Sequence, residues 1–403
     1  MKSEFSHRLE ILSARNVKER VVLFFGREYF SDNTKYLYLR ALEQAPTFTA
    51  VWCSSEEHII ASLKEQNLPC HLISPATVSD TLRLFLSAAV AVFSVNPSQS
   101  LNGSEELFAS LAGARHIQLW HGISVKHLLL GLATHLDVTD YAFRRPLDFA
   151  SRADCVLSPS SSVDGHFKRF FGCRRIVRAG YPRNEVILRP ATENERIGSE
   201  LPEKIVAALQ SRQHKTILFA PTWQRGESTL LTASTGIILR LAKLCKRHNA
   251  SLFIKSHPLH VNNEASRELA DRCFYINPSV DMYPHLKQFD LLITDYSSIM
   301  FDFLLTKKPI MRLDIPPGSH RSFEPDFGLV PDVDFAYPFD DENINDVFSQ
   351  ALNKDNKQRQ REIMAEKLFE TEVSQASASL VRLLEHEVDS LMADRRAFTV
   401  EAY

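Results

Sequence analysis

The chain has no CxxC pair and no spacing that would set cysteines and histidines around zinc. Its six cysteines, Cys53, Cys70, Cys155, Cys173, Cys245 and Cys273, are scattered, the pattern of reduced thiols in a cytosolic protein rather than of a disulfide framework. The first residues, Met1 to His7, are polar and lack the apolar core of a signal peptide. The longest apolar run, Ala88 to Val95, is far too short to cross a bilayer. A membrane-integral protein is thereby excluded, and a place in the cytoplasm, or peripheral on the inner face of the cytoplasmic membrane, is expected. Charge of one sign is also missing: 47 Lys and Arg stand against 49 Asp and Glu. That balance argues against a nucleic-acid partner. There is no internal repeat and no low-complexity segment.

At 403 residues the chain is long for one core, so two domains are expected. Strand-like apolar runs alternate with helical spacing, the signature of a parallel α/β architecture. Residues 20–26, 48–53, 88–95, 116–120, 155–158 and 175–180 read as strands of a first half. Residues 216–221, 251–255, 291–294 and 309–313 read as strands of a second, and Asn33 to Ala45 has helical spacing. The boundaries that follow are 1–190, a polar connection at 191–214, 215–355, and a Glu- and Arg-rich helical pattern at 356–403. The predicted fold is two doubly wound, Rossmann-like halves facing one another across a cleft.

Chemistry concentrates at the ends of these strands. Residues 294–302, Thr-Asp-Tyr-Ser-Ser-Ile-Met-Phe-Asp, run from a strand through a polar corner into a short helix. Asp295, Ser297 and Ser298 lie where backbone N–H groups and the helix dipole favour an anion. An ordinary helix cap is the competing reading. His121 and Gly122 follow the strand ending at Trp120; a histidine there suits general-base work, and a loop histidine satisfied by backbone is the alternative. His257 stands at the end of another strand, fixed by Pro258. Pro221 and Thr222 end a fourth. Lys126 is able to hold phosphate or simply to face water. Residues 166–189 carry Lys168, Arg169, Arg174, Arg175, Arg178, Arg183 and Arg189 against Glu185 alone, a basic face for an anionic membrane surface or a solvated helix and turn. Asp332 and Asp334 have the spacing of a carboxylate pair for a divalent ion, in a stretch that also reads as a solvated turn.

Six motifs occur in one order: Asp32-Asn33-Thr34-Lys35-Tyr36-Leu37-Tyr38, Trp120-His121-Gly122, Gly180-Tyr181-Pro182-Arg183-Asn184-Glu185, Phe219-Ala220-Pro221-Thr222-Trp223, Ser256-His257-Pro258, and Thr294-Asp295-Tyr296-Ser297-Ser298 with Phe301-Asp302. In that order the chain resembles the CDP-glycerol glycerophosphotransferase family of teichoic-acid and capsule biosynthesis. The resemblance implies a GT-B-like fold with an acceptor-binding amino half and a nucleotide-binding carboxyl half. It implies transfer of a polyol phosphate from a CDP-polyol to a hydroxyl of a glycan, lipid-linked or polymer acceptor, with release of CMP. His121 would be the base. His257, Ser297 and Ser298 would bind the pyrophosphate, and Asp302 would orient the donor or a nearby histidine. Pro221, Thr222 and Asp295 would line the donor side, and Asn33, Lys35, Gly122, Lys126, Arg183 and Asn184 the cleft and acceptor side. No tightly bound cofactor or structural metal is implied, and dependence on a divalent cation stays open, as do glycerol against ribitol and primase against polymerase. Ile123-Ser124-Val125-Lys126 departs from the family's usual Thr-Pro-Leu-Lys, with Ser124 as the substitute hydroxyl. A glycosyltransferase using a UDP- or CMP-sugar is the rival enzyme, and a silent scaffold the rival of another class.

Overall fold

The computed structural model describes residues 4–44, 46–134, 153–173, 175–211, 213–222, 228–255, 272–314 and 325–396. Two parallel sheets organise it, as the alternating pattern predicts. The first holds β1 (Glu19–Phe25), β2 (Thr49–Ser54), β3 (Cys70–Leu72), β4 (Ala88–Phe93), β5 (Arg115–Gln118), β6 (Cys155–Ser158) and β7 (Arg175–Arg178), in the order β3-β2-β1-β4-β5-β6-β7. The second holds β8 (Lys215–Phe219), β9 (Ala250–Lys255), β10 (Cys273–Ile276), β11 (Leu291–Thr294), β12 (Ile310–Leu313) and β13 (Tyr337–Phe339), in the order β10-β9-β8-β11-β12-β13. Central strands such as β4 and β11 are buried along their whole length, because helices cover both faces of a parallel sheet.

All ten strands expected from the sequence form. Three more, β3, β10 and β13, do not announce themselves, because they are edge strands of only three or four residues. Too short for periodicity, they are half-exposed or, in β13, interrupted by the exposed Pro338. An edge tolerates that proline because no neighbour needs its N–H.

In each sheet the winding reverses once, between β1 and β4 and between β8 and β11. The carboxyl ends of the strands at such a switch point frame a crevice where ligands bind. Contacts between the halves bring the two crevices face to face: Gly122, after β5, packs against Ser298, after β11.

The connection at 191–214 is partly structured: it contains the helix Glu203–Gln210. It also contains Glu195, which grips Arg189 through two bonds of 2.6 and 2.7 Å. The helix Ala376–Arg396 leaves the second half and returns to the first. There Asp389 meets Arg20 at 2.6 Å, Glu387 meets Arg175, and the Ser377 N–H donates to Glu185 at 2.6 Å.

The basic stretch 166–189 does not present the face its composition suggests. Acids near and far answer it: Arg175 pairs with Glu387, Arg178 with Asp164 and Glu370, and Arg189 with Glu185 and Glu195. Arg183 is buried between Asp32 and Asp302. Of the seven cations, Arg174 lies outside the described residues, and Lys168 and Arg169 are the two exposed ones without an acid named here.

Candidate active site between the two sheets

The histidine loop is shaped by backbone geometry. Trp120 adopts φ +54 and Gly122 φ +120, turning the chain sharply after β5. Asn33 locks the turn by donating Nδ2–H to the Trp120 carbonyl at 2.8 Å. The His121 ring leans on Trp120 with centroids 4.0 Å apart, and its Nδ1 lies 3.0 Å from the Ser94 carbonyl oxygen. A carbonyl can only accept, so Nδ1 carries the hydrogen and Nε2 is left as the basic nitrogen. Burial, then Arg27, Arg183 and Lys126, hold this imidazole well below the ordinary histidine value against the opposing Ser94 bond. His121 is therefore neutral near pH 7, the form a general base requires.

Gly122 admits no side chain. A Cβ there would come within 2.6 Å of Arg183 Nη2 and 3.1 Å of Ser298 Cβ. Arg183 cannot yield, because it donates to Asp32 at 2.8 Å and Asp302 at 2.6 Å. Gly122→Ala is expected to cost about 1–3 kcal/mol from the unfavourable φ alone and to depress turnover by displacing His121. Urea unfolding together with a rate measurement checks this; unchanged stability would mean the loop has another conformation open to it.

Beneath the loop lies a buried polar cluster. Asp302, fully buried, accepts from Arg183, from Asn184 Nδ2 at 3.0 Å and from the Tyr283 hydroxyl at 2.7 Å. Lys35, also fully buried, donates to Asp281 and to the Ile197 carbonyl, both at 2.8 Å, and the Tyr36 hydroxyl reaches the same Asp281 at 2.7 Å. Asn33, Lys35, Arg183, Asn184 and Asp302 are thus engaged with one another and with neighbours across the two halves. Their geometry fits holding the cleft's floor in place.

The 294–302 corner is built differently from a helix cap. Asp295 accepts from the Thr222 hydroxyl at 2.6 Å, the Thr222 N–H at 3.0 Å and the Ser297 N–H at 3.0 Å. It ties the end of β8 to the end of β11 at the switch point. Burial raises its pKa even against these bonds and the nearby Lys126. Ser298 lies against Gly122 with no capping bond of its own, and the helix that follows, Ile299–Phe303, is only five residues long. Pro221 precedes Thr222 half-buried. Lys126 lies 4.9 Å from the Tyr296 ring centroid, and burial pushes it down to about 8 despite Asp295. Ser124 caps its own turn, accepting from the Lys126 N–H at 2.9 Å. His257, with Ser256 and Pro258, lies outside the described residues, as does Trp223.

Two cations escaped the motif reading. Arg27 follows Gly26 at the end of β1; its Nε is 3.5 Å from Asp32 and its side chain is 36% exposed. Its charge is felt by His121, Lys126 and Lys255 alike. Lys255, the last residue of β9, donates to the Val280 carbonyl at 2.7 Å, and burial lowers it to about 8 against the pull of Asp281. Both stand at carboxyl ends of strands that the sequence predicts, and strand-end position was the signal available for them. Arg27, Lys126 and Lys255 bring positive charge to the crevice, suited to phosphate, whereas Arg183 is taken up by Asp32 and Asp302. Among the described residues no group of three or more His, Cys, Asp or Glu is placed to hold a metal ion. Asp334 of the candidate pair instead meets Lys357.

A family model described as CDP-glycerol:poly(glycerophosphate) glycerophosphotransferase matches residues 8–386. The teichoic acid poly(glycerol phosphate) polymerase of Staphylococcus epidermidis is 25% identical over 317 residues, covering 73% of this chain and 40% of that protein. The teichoic acid ribitol-phosphate polymerase TarK of Staphylococcus aureus is 33% identical over 201 residues, 48% of this chain and 38% of TarK. This chain thus spans well under half the length of both. The wall teichoic acid polymerase TagF has the same fold, with a TM-score of 0.68 at 20% identity over 96% of this chain and 94% of that one. With the family model running through both sheets and all six motifs, this chain belongs to the CDP-glycerol:poly(glycerophosphate) glycerophosphotransferase family.

Proposed function

We propose that the chain transfers glycerol phosphate from CDP-glycerol to a hydroxyl of a glycan, lipid-linked or polyol-phosphate acceptor, releasing CMP. The observation that carries this reading is a neutral His121, its Nε2 free of the Ser94 bond, set among Arg27, Lys126 and Lys255 where two switch points meet. In this reading His121 takes the proton of the acceptor hydroxyl. The oxygen attacks the polyol-bearing phosphorus, the bond to the bridging oxygen breaks, and CMP departs. Phosphoryl transfer demands positioning and neutralisation of charge, and the convergent cations supply both. His257, following Lys255 in sequence, would add a donor to the pyrophosphate. Asp295 would act by holding Thr222 and the Ser297–Ser298 corner, and Asp302 by anchoring Arg183 under Gly122.

No helix among the described residues is long and apolar enough to cross a membrane. A lipid-linked acceptor would bring the protein to a membrane surface, where Lys168 and Arg169 are exposed cations of the Arg-rich stretch, along with Arg175, which is paired with Glu387.

The test is CMP release from CDP-glycerol, CDP-ribitol, UDP-sugars and CMP-sugars over a mixed acceptor pool, with and without EDTA. Turnover of CDP-glycerol is the expected result. Preference for CDP-ribitol would change the polyol, use of a nucleotide sugar would overturn phosphotransfer, and loss in EDTA would reveal a required cation.

A further inference from the structure

The second sheet has a groove at its other end. Lys215 opens β8 and Asp290 immediately precedes β11, so these residues mark the amino ends of the strands whose carboxyl ends face the crevice. Five residues of β8 separate the two ends, roughly 17 Å at the usual strand rise. A cavity of about 1010 Å³ lies here. It runs into a second of about 410 Å³ through Pro190, Leu209, Gln210, Pro284 and Gln288, which line both. The result is one long, open groove along the junction of the two halves.

Its lining has the chemistry of a polyanion site. Among the described residues, Arg189, Arg196, Lys215, Lys287 and Lys308 line the groove with Asp290 and Glu200 as its only carboxylates. Asp290 is engaged by the Thr216 N–H at 2.9 Å. Lys308 is fixed by the carbonyl oxygens of Lys287 and Phe289, both at 2.7 Å. Lys215 and Lys287 are exposed. Arg189 is gripped by Glu185 and Glu195. Around them stand amides, Gln210, Gln213, Gln288, Asn249 and Asn353, able to bond hydroxyl groups. Among the described residues no Phe, Tyr or Trp lines either lobe, and the rings present are the imidazoles of His214, His248 and His285. Single-stranded nucleic acid is held mainly by stacking its bases on large aromatic rings, so a groove of cations and amides with only imidazoles for rings suits a phosphodiester chain that carries hydroxyls and no bases.

We infer that this groove binds a polyol-phosphate chain, the acceptor polymer itself, at a distance from the reacting end. The inference rests on the proposed transferase reading and deepens it by naming a second acceptor subsite. Acceptors long enough to occupy groove and crevice together gain affinity from the second contact, whereas acceptors of two units reach only the crevice.

The experiment uses the full chain and synthetic poly(glycerol phosphate) of two and of about twelve units. Binding is followed by fluorescence anisotropy, and transfer by CMP release. In the double variant Lys215→Gln/Lys287→Gln, affinity for the long oligomer is expected to fall about tenfold, with a shallower salt dependence, as for other cation contacts to a phosphodiester chain. KM for the long acceptor should rise similarly, and turnover of the two-unit acceptor should stay unchanged. Equal effects on both lengths, or none on the long one, would overturn the inference. So would RNA of matching length binding as tightly as the glycerol-phosphate oligomer, since the groove would then read charge alone. Absence of CMP release with every acceptor would count against the transferase reading, while the binding arm would still decide the groove. Lys215→Arg/Lys287→Arg, which keeps the charge, should restore long-oligomer binding; failure to do so would show that Lys215→Gln/Lys287→Gln acted through the fold.

Discussion

His121→Ala is expected to lower CMP release by about 10²–10⁴-fold, the range for removal of a positioned general base, while leaving the protein folded. The second half of that expectation follows from the surroundings. The ring makes one hydrogen bond, to the Ser94 carbonyl, and leans on Trp120; the turn itself is held by Asn33 on the Trp120 carbonyl and by Gly122 against Arg183 and Ser298. Donor binding should survive, so the loss should appear in kcat. The pH profile separates a base from a residue that merely shapes the loop. Because the free-enzyme pKa of His121 lies well below 6.5, the neutral form persists above that value and is lost only as pH falls beneath it. The acid limb of kcat/KM should therefore lie below pH 6.5. Lys126 and Lys255, lowered to about 8 by burial, lose their charge as pH rises through that value, which sets an alkaline limb near pH 8. In His121→Ala the acid limb should vanish and the alkaline limb remain. An acid limb that persists in the variant would remove His121 from the role of base.

Arg183→Met should be the most destabilising single change in the cleft, by about 3–5 kcal/mol, the usual result of stripping the partner from buried charges. Arg183 joins Asp32, the first residue of the helix Asp32–Gln44, to Asp302, after β11, and its guanidinium lies 4.5 Å from the Tyr283 ring centroid. Without it two buried carboxylates face each other across the halves, with only neutral donors such as Asn184 and Tyr283 left to Asp302. Arg183→Lys retains one charge but not the fork that reaches both acids, so its stability should fall between the two. Urea unfolding gives the order; a loss below about 1 kcal/mol for Arg183→Met would mean that the carboxylates find other donors or protonate.

The sheets were readable because buried parallel strands leave near-continuous apolar runs, and β1, β4, β8 and β11 are such runs. Edge strands β3, β10 and β13 were not, having too few residues to show a period. His121 and the Asp295–Ser298 corner were visible as polar residues where apolar runs end. What the sequence hid was partnership at long range. Lys35 and Asp281 lie 246 positions apart, and Arg183 and Asp302 119. Nothing local distinguishes a lysine that will be buried in an ion pair from one that will meet an acceptor. Likewise the positive stretch at 166–189 looked opposed by Glu185 alone because Glu195, Glu370 and Glu387 are written elsewhere in the chain.

The return of the helix Ala376–Arg396 to the first sheet bears on how the molecule comes into being. Ser377 meets Glu185 across 192 positions, and Leu380, Leu384 and Val388 are buried in the same core as β1 and β4. The amino half therefore waits, incompletely covered, until almost the whole second half has been synthesised. A cut in the connection at 191–214 would not release two self-sufficient pieces: the first would lack its cover, and the second would trail a helix whose apolar face has nothing beneath it.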